Sequence, residues 1–561
     1  MKSKKLLTVI LVAALLAGCS KGTGGADPSG KESLPQENQD TTAPAFPDSE
    51  DAGEELNSNL NLEGFPIVKE KETFSLMGSK AAIQGPWDTL SFFTEMEEKT
   101  NITFTFDTPA NNVFEEKKNL SFAGNSYPDV FFAANMSMAQ QVKYGMSEGI
   151  LLPLDEYIDK YCPNIQKMFA ENPDLKKSVT APDGHIYSLP NYNQGVLAPF
   201  PSFWYNQEWL DALGVTELPK DIDSFYNLLT RFKNEDPNKN GIADEIPFTM
   251  TSKPDNDLLD INLYLLPAFG ITSSRIYVEN DKVKFGALEP NYKEYLYYIN
   301  KLMSEGLIDN EWVTQDEATM TGKTKGNMVG MAGQALPQNL YEIADNDVAA
   351  TYLIAPALSS SYSNGQAGYR KYNDGIAQGA FSITNKCKNP AAMMRWVDYL
   401  YGEEGSLYIH FGNEGIIWQY NDKGQMTNIQ PENGMTTEEY RGGFITPDCG
   451  STTPKWVRPL TVSNWEDPMR AARISQVEEK LVPYSKVAMP SLFFTPEQQN
   501  QIDTIKVDID NYMKQSEAAF FVGNTDVDRE YDNFVKQLNN MGVQDLINTY
   551  QEAYDSWNSV K

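Results

Sequence analysis

The order of apolar patterns between residues 72 and 132 predicts an α/β protein built on a parallel, doubly wound sheet. Two alternating segments, Glu72 to Met77 and Ile102 to Phe106, read as strands. A short apolar run, Asp129 to Phe132, reads as a third, buried strand. Between them lie two stretches of helical periodicity. Thr89 to Lys99 carries Leu90, Phe92, Phe93 and Met96 at helical spacing, and Val113 to Phe122 follows the same pattern. In sheets of this kind ligands bind beyond the carboxyl ends of the strands. Here those ends open into loops 78–88, 107–112 and 133–138.

The pattern changes between Gly184 and Asn206, where two short β-like pieces flank a polar, proline-containing stretch. This marks a crossing into a second lobe. Trp209 to Leu213, Ile222 to Lys233 and Tyr292 to Glu305 then read as helices. A second crossing is expected at Asp374 to Phe381, ahead of a helix from Pro390 to Tyr401. The region from Pro496 to Trp557 is helical and amphipathic, and no internal repeat is visible.

Composition narrows the function. The chain has 561 residues, 41% hydrophobic and 12% aromatic, enough for a large core. Its formal net charge of −31 argues against nucleic acid, because phosphate binding needs a basic surface. With two histidines, His185 and His410, there is little room for histidine-based metal or acid–base catalysis. Four cysteines are too few for a disulfide scaffold. Cys162, Cys387 and Cys449 are expected to be free and buried, with one disulfide between two of them as the alternative, whose pair the sequence does not choose.

The N-terminus reads as an address. Lys2, Lys4 and Lys5 precede an apolar run from Leu6 to Ala17, too short to span a bilayer about 30 Å thick. Leu16-Ala17-Gly18-Cys19 then resembles a lipobox, in which Cys19 is lipidated and becomes the first residue of the mature chain. Such an anchor holds a protein on a membrane face without crossing it. Residues 1–18 are thus the expected signal peptide and 19–65 a flexible tether, rich in Gly, Ser, Asn and Pro.

One local motif is sharp. In Asp236 to Pro247, oxygen side chains recur at Asp236, Asn238 and Asn240, and Gly241 follows where the loop turns. This matches the opening of an EF-hand calcium loop, although its twelfth position is Pro247 rather than glutamate. A hard cation takes roughly six to eight oxygens. The loop offers Asp236, Asn238, Asn240, the Ile242 carbonyl, Asp244 and Glu245. No His or Cys lies near, so a structural Ca2+ is expected rather than zinc.

Several stretches together resemble the extracellular solute-binding proteins of family 1, in particular the long lipoprotein branch found with oligosaccharide importers. They are Gly124 to Val130, ending in Pro-Asp-Val, Asp183 to Pro190, Trp204 to Gly214, the Asp236 to Pro247 loop, Gly412 to Trp418, and the C-terminal Phe521 to Gly523 and Tyr550 to Asp555. The likeness runs from about residue 68 to the C-terminus. It implies a type II periplasmic-binding-protein fold, with two doubly wound α/β lobes joined by hinge strands. The N-terminal lobe is expected at 66–197 and 378–460, the C-terminal lobe at 198–377 and 461–561. In alginate-oligosaccharide binders of this group a related loop holds structural calcium away from the ligand, which here implies Asp236, Asn238, Asn240, Ile242, Asp244 and Glu245.

The implied function is capture of an oligosaccharide between the lobes and delivery to ABC transporter permease subunits. The chain would act as a monomer, lipid-anchored on the extracytoplasmic face of a Gram-positive cell membrane. Aromatic rings cover the C–H face of a sugar, while Asp, Asn, Gln and Arg bond its hydroxyls. Loop position picks the candidates. Trp87 follows the first strand and Asn135 the third. Tyr192, Asn193 and Gln194 stand at the presumed hinge, with Trp204 just past it. Trp418, Trp456 and Arg458 complete the set. Asp129 is expected to brace a strand edge, His185 to lie on the surface and His410 to pack in or beside a helix. A peptide or other solute is the alternative ligand, and a surface sensor or adhesion protein the alternative class. Nothing in the motif order suggests the paired carboxylates of a glycosidase.

Overall fold

The computed structural model describes residues 58–195, 202–251, 260–334, 336–432, 434–449 and 453–560. The signal segment, Cys19 and the tether up to residue 57 lie outside the described residues; residues 58–65, expected as the end of the tether, instead join the first lobe, because Leu60 is buried in its core and bridges to Val68. Among the described residues no helix is long and apolar enough to cross a membrane.

The main sheet has six strands: β1 (Glu72–Gly78), β2 (Ile102–Asp107), β3 (Val130–Phe132), β4 (Leu189–Asn193), β5 (Ile376–Ile383) and β6 (Lys455–Val457). Their spatial order is β6-β4-β5-β3-β1-β2. β1 pairs in parallel with β2 and β3, and β6 pairs in parallel with β4. β5 runs antiparallel between β3 and β4. All strands but β5 therefore end at the same edge.

The first three strands and the helices between them stand where periodicity predicts. The first helix begins as a 3-10 turn at Trp87–Thr89 and becomes α-helical at Ser91–Thr100, stopping at Asn101 in the left-handed region. The second starts two residues early, at Asn111–Ala123. Asp129 braces the sheet as expected, its Oδ2 accepting from the Ser75 amide and hydroxyl, each at 2.7 Å.

Two large apolar clusters define two lobes. The first takes residues from Leu60 to Leu189 and from Phe381 to Trp456, with Trp87, Phe132 and Trp396 among them. The second takes residues from Phe203 to Tyr369 and from Met469 to Leu546, with Trp204, Trp209 and Trp312 among them. The chain changes core after β4, before β5 and after β6, so these three neighbouring strands are the hinge strands of a two-lobed fold.

In the second lobe, Phe203–Tyr205 pairs antiparallel with Met331–Gly333. Parallel bridges join Ile246, Phe248 and Thr249 to Val329, Ile308 and Ala332. The helix Ile222–Asn234 packs on this layer behind a capping box in which Asp221 accepts from the Ser224 amide at 2.8 Å. The C-terminal region forms the helices Pro496–Phe521, Val527–Asn540 and Val543–Ser559. The last reaches the first lobe, where Trp557 Nε1 donates to Ser178 Oγ at 3.0 Å.

Two hinge glycines are forced. Gly375 has φ +81°, and a Cβ there would lie 2.3 Å from the Asn193 carbonyl oxygen. Gly379 has φ +71°, and its Cβ would lie 2.1 Å from the Met136 backbone. The β4–β5 ladder shifts register between Ala377 and Phe381, a stretch that includes Gly379.

Candidate functional site

The carboxyl ends of β4 and β6 build the site. Register sets Trp456 opposite Tyr192, and the Gln194 amide donates to the Val457 carbonyl at 2.9 Å. A relay of side chains follows. Trp456 Nε1 donates to Gln194 Oε1 at 2.6 Å, and Gln194 Nε2 donates to Asn172 Oδ1 at 2.7 Å. The same Asn172 oxygen accepts from the Tyr192 hydroxyl at 3.1 Å. Asn172 sits between two helices that each begin with proline, Pro163–Glu171 and Pro173–Val179, and its Nδ2 is tied to the Met168 carbonyl at 2.8 Å.

Arg458 lies over the Trp456 ring, its Cζ 3.9 Å from the centroid, and donates to the Tyr401 carbonyl at 3.0 Å. Burial lowers its pKa against the pull of Glu403 and Glu171, yet a guanidinium stays charged. These groups open on a cavity of about 630 Å3, within the range of small-molecule sites. Lys167, Glu171, Glu403 and Tyr420 line it with Gln194, Trp456 and Arg458. Tyr420, 43% exposed, presents an aromatic face. Aromatic surface and convergent amide, guanidinium and carboxylate groups suit a polyhydroxylated ligand.

Of the candidates named from sequence, Gln194 and Arg458 meet here, over Trp456, which is 2% exposed and supports them from the core, with Tyr192 behind them. Asn193 turns to its own backbone, its Oδ1 accepting from the Gly195 amide at 2.8 Å. Trp418 lines a different hollow of about 280 Å3 with Tyr408 and Asn413, and its Nε1 donates to the Gly412 carbonyl at 3.0 Å. Asn135 is exposed in a left-handed turn and does not line the cavity. Trp87 and Trp204 lie in the cores instead of on an open face. Trp87 is 1% exposed and packed by Phe93, Phe106 and Phe132, because Gly78, lacking a Cβ, lets the indole lie against β1. Trp204 is 0% exposed on a central strand of the second lobe, with its Nε1 donating to the Gln334 carbonyl.

Below β6 a buried ionic cluster supports the site. Asp448 accepts from Lys455 Nζ, from the Thr453 hydroxyl and from His410 Nδ1. Burial alone would raise the Asp448 pKa, but Lys455, His410 and Arg441 outweigh it and hold the carboxyl well below its usual range. Burial, with Lys455 adding to it, pushes the His410 imidazole down to about 4 against the pull of Asp448. The unfolded chain therefore binds a proton at His410 that the folded chain refuses. Stability from this group is full above about pH 6.5 and is lost as pH falls toward 4. The expected loss between pH 7 and 5 is about 2 kcal/mol. Urea unfolding of the wild type and of His410→Gln at both pH values checks it as the difference between their pH slopes, because Asp398, pushed up to about 6 by burial, adds stability of opposite sign in the same window. His185 is exposed beside Asp155, as its loop position predicts.

The Asp236 loop is shaped by its own side chains. The Asp236 carboxylate accepts from the Asn240 and Gly241 amides, each at 3.2 Å, while Asp236, Lys239 and Gly241 take positive φ. Asn238 and Asn240 turn their amide groups to Asp244, and the Ile242 carbonyl accepts from the Asp244 amide at 2.9 Å. Among the described residues no three His, Cys, Asp or Glu side chains stand at metal-holding spacing. The donor set nonetheless fits a hard cation, because it is all oxygen and Glu245 Oε1 is buried with no hydrogen-bond partner. Cys162, Cys387 and Cys449 are all free and buried.

A model of the bacterial extracellular solute-binding proteins matches residues 75–406. The chain belongs to this family. As a solute-binding protein it is similar to the fructooligosaccharide ABC transporter substrate-binding protein FusA of Streptococcus pneumoniae. The two are 30% identical over 528 residues, 90% of this chain and 94% of FusA. The solved structure of FusA in complex with kestose superposes with a TM-score of 0.67 at 28% identity, covering 87% of this chain and 100% of that one. A FusA EF-hand mutant in complex with fructo-nystose matches with the same TM-score and coverage at 27% identity. A human-milk-oligosaccharide (HMO) binding, ABC-transporter-associated solute-binding protein from Bifidobacterium longum infantis shares the fold, with a TM-score of 0.74 at 23% identity over 87% of this chain and 99% of that one. The family is one of binding proteins, not of enzymes.

In this solute-binding protein, loop position did not pick out Lys167, Glu171, Glu403 and Tyr420, which line the candidate cavity, or Asn172 behind it. Only Asn172 carried a local signal, the Asn-Pro step that separates two helices.

Proposed function

We propose that this solute-binding protein captures an oligosaccharide at the ends of β4 and β6 and delivers it to the permease of an ABC importer. The observation that carries this reading is the convergence of Gln194, Trp456 and Arg458 on one cavity at the hinge strands. The similarity to FusA over most of both chains supports the ligand class. Closure about β4, β5 and β6 brings the second lobe onto the bound sugar, and ligand favours the closed form only through contacts made there. The lobes are taken as 66–197 with 378–460 and 198–377 with 461–561, acting as a monomer. Cys19 is taken as the lipidated residue that anchors the chain to the extracytoplasmic membrane face. A thermal-shift screen against glycans, with peptides as controls, tests the ligand class. Stabilisation by peptides and by no glycan would sink it.

The Asp236 loop is proposed to hold a structural Ca2+ through Asp236, Asn238, Asn240, Ile242, Asp244 and Glu245, away from the sugar. The EF-hand mutant made in FusA supports this reading. Bound metal stabilises the folded state, so chelation with EDTA lowers the melting temperature of the wild-type protein. The same treatment leaves Asp236→Ala unmoved. Equal melting curves for the wild type with and without EDTA, and no metal by elemental analysis, would count against the site.

A further inference from the structure

We infer that the cavity at β4 and β6 selects an uncharged oligosaccharide, and that Glu171 and Glu403 are the residues that turn acidic sugars away. This rests on the oligosaccharide reading above and deepens it. Two cations line the cavity, Lys167 and Arg458, and each already has a carboxylate beside it. Lys167 Nζ lies 3.9 Å from Glu171 Oε1, and Arg458 Nε lies 4.0 Å from Glu403 Oε1. Both glutamates also line the cavity and both act on the Arg458 guanidinium.

A uronate carboxylate is held best by a two-pronged guanidinium contact. Here Arg458 spends part of its fork on the Tyr401 carbonyl, and its Nε faces Glu403. An incoming carboxylate at Arg458 meets Glu403 as a like charge, and one at Lys167 meets Glu171. Like-charge contacts of this kind weaken binding, and less so at high salt, since both glutamates reach solvent. A hydroxyl meets no such penalty, because it donates to the glutamates and accepts from Arg458 or Gln194. The formal net charge of −31 adds a long-range field that slows the approach of anions.

The test is calorimetric titration of the purified protein with neutral probes (kestose, nystose, maltotriose) and acidic ones (trigalacturonate, trimannuronate). It is run at two salt concentrations, on the wild type and on Glu171→Gln/Glu403→Gln. The wild type is expected to bind a neutral probe at least about 100-fold more tightly than either acidic one. In the double variant the ratio of acidic to neutral affinity rises at least about tenfold, and the gain shrinks at high salt. Acidic binding by the wild type as tight as neutral binding overturns the inference and leaves the oligosaccharide reading standing. So does an unchanged ratio in the double variant. Binding of none of the probes overturns both.

Discussion

Replacing Arg458 with alanine lowers oligosaccharide affinity by about 10- to 100-fold and costs the fold about 1–3 kcal/mol. Arg458 is the charged donor set over the cavity, and it is positioned on two sides. Its guanidinium rests on the Trp456 ring and one nitrogen is fixed on the Tyr401 carbonyl. Its Nη1 lies 3.5 Å from the Trp456 carbonyl and its Nε faces Glu403 at 4.0 Å, contacts long enough for a sugar hydroxyl to compete for the same donors. A hydrogen bond to a charged group contributes about 1.5–3 kcal/mol, which is the stated loss in affinity. The folding cost comes from the Tyr401 hydrogen bond and the Trp456 contact, while the Glu403 pair adds little, because it is 4.0 Å long with Glu403 exposed and such pairs contribute about 0–1 kcal/mol. Arg458→Lys restores the charge but not the fork, so it recovers only part of the affinity. Calorimetry with the best glycan from the screen measures the first effect and a thermal melt the second. Affinity within threefold of wild type would remove Arg458 from the site.

Replacing Asp448 with alanine destabilises the first lobe by about 3–5 kcal/mol, the usual cost of stranding a buried charge. Asp448 is 6% exposed and Lys455, which starts β6, is 4% exposed. Without the carboxylate the Lys455 ammonium has lost its counter-charge, and the His410 ring and Thr453 hydroxyl lose their acceptor. Asp448→Ala with Lys455→Met removes both charges and recovers most of the loss, because a matched apolar pair is often as stable as a buried ion pair. Urea unfolding of the wild type and the two variants measures both quantities. A loss below about 1 kcal/mol for the single variant would mean that the cluster does not hold β6. Trp456 follows Lys455 on the same strand, so a loosened β6 also weakens ligand binding.

Local patterns foretold much of this fold. Alternation in Glu72 to Met77 and helical spacing through Met96 depend on near neighbours, and they appear as β1 and the helix beside it. The polar, proline-containing stretch after Gly184 marks the change of core after β4. The rest depends on pairing between distant segments. β6 has only three residues and joins β4 across more than 260 positions, with Asn191 Nδ2 donating to the Thr453 carbonyl. No periodicity develops in so short a strand. The insertion of β5 against the parallel direction is hidden because it too is set by pairing with the distant β3 and β4.

The candidate site shows the same division. Gln194 and Trp456 were legible as polar and aromatic residues at strand ends. Asn172 and Glu403, by contrast, come from helix ends, and Tyr420 from the hairpin Trp418–Tyr420 with Met426–Asn428. Trp87 has the loop position of a stacking platform, yet the missing Cβ of Gly78 draws it into the core. Burial of an indole is decided by what it meets in space, which sequence spacing does not specify.

A crystal structure of the protein with the oligosaccharide that stabilises it most tests the central claim most directly. The account predicts a sugar ring over Tyr420, with hydroxyls within hydrogen-bond distance of Gln194 and Arg458. A sugar bound against the loops after β1 to β3, with the cavity at β4 and β6 holding only water, would contradict it.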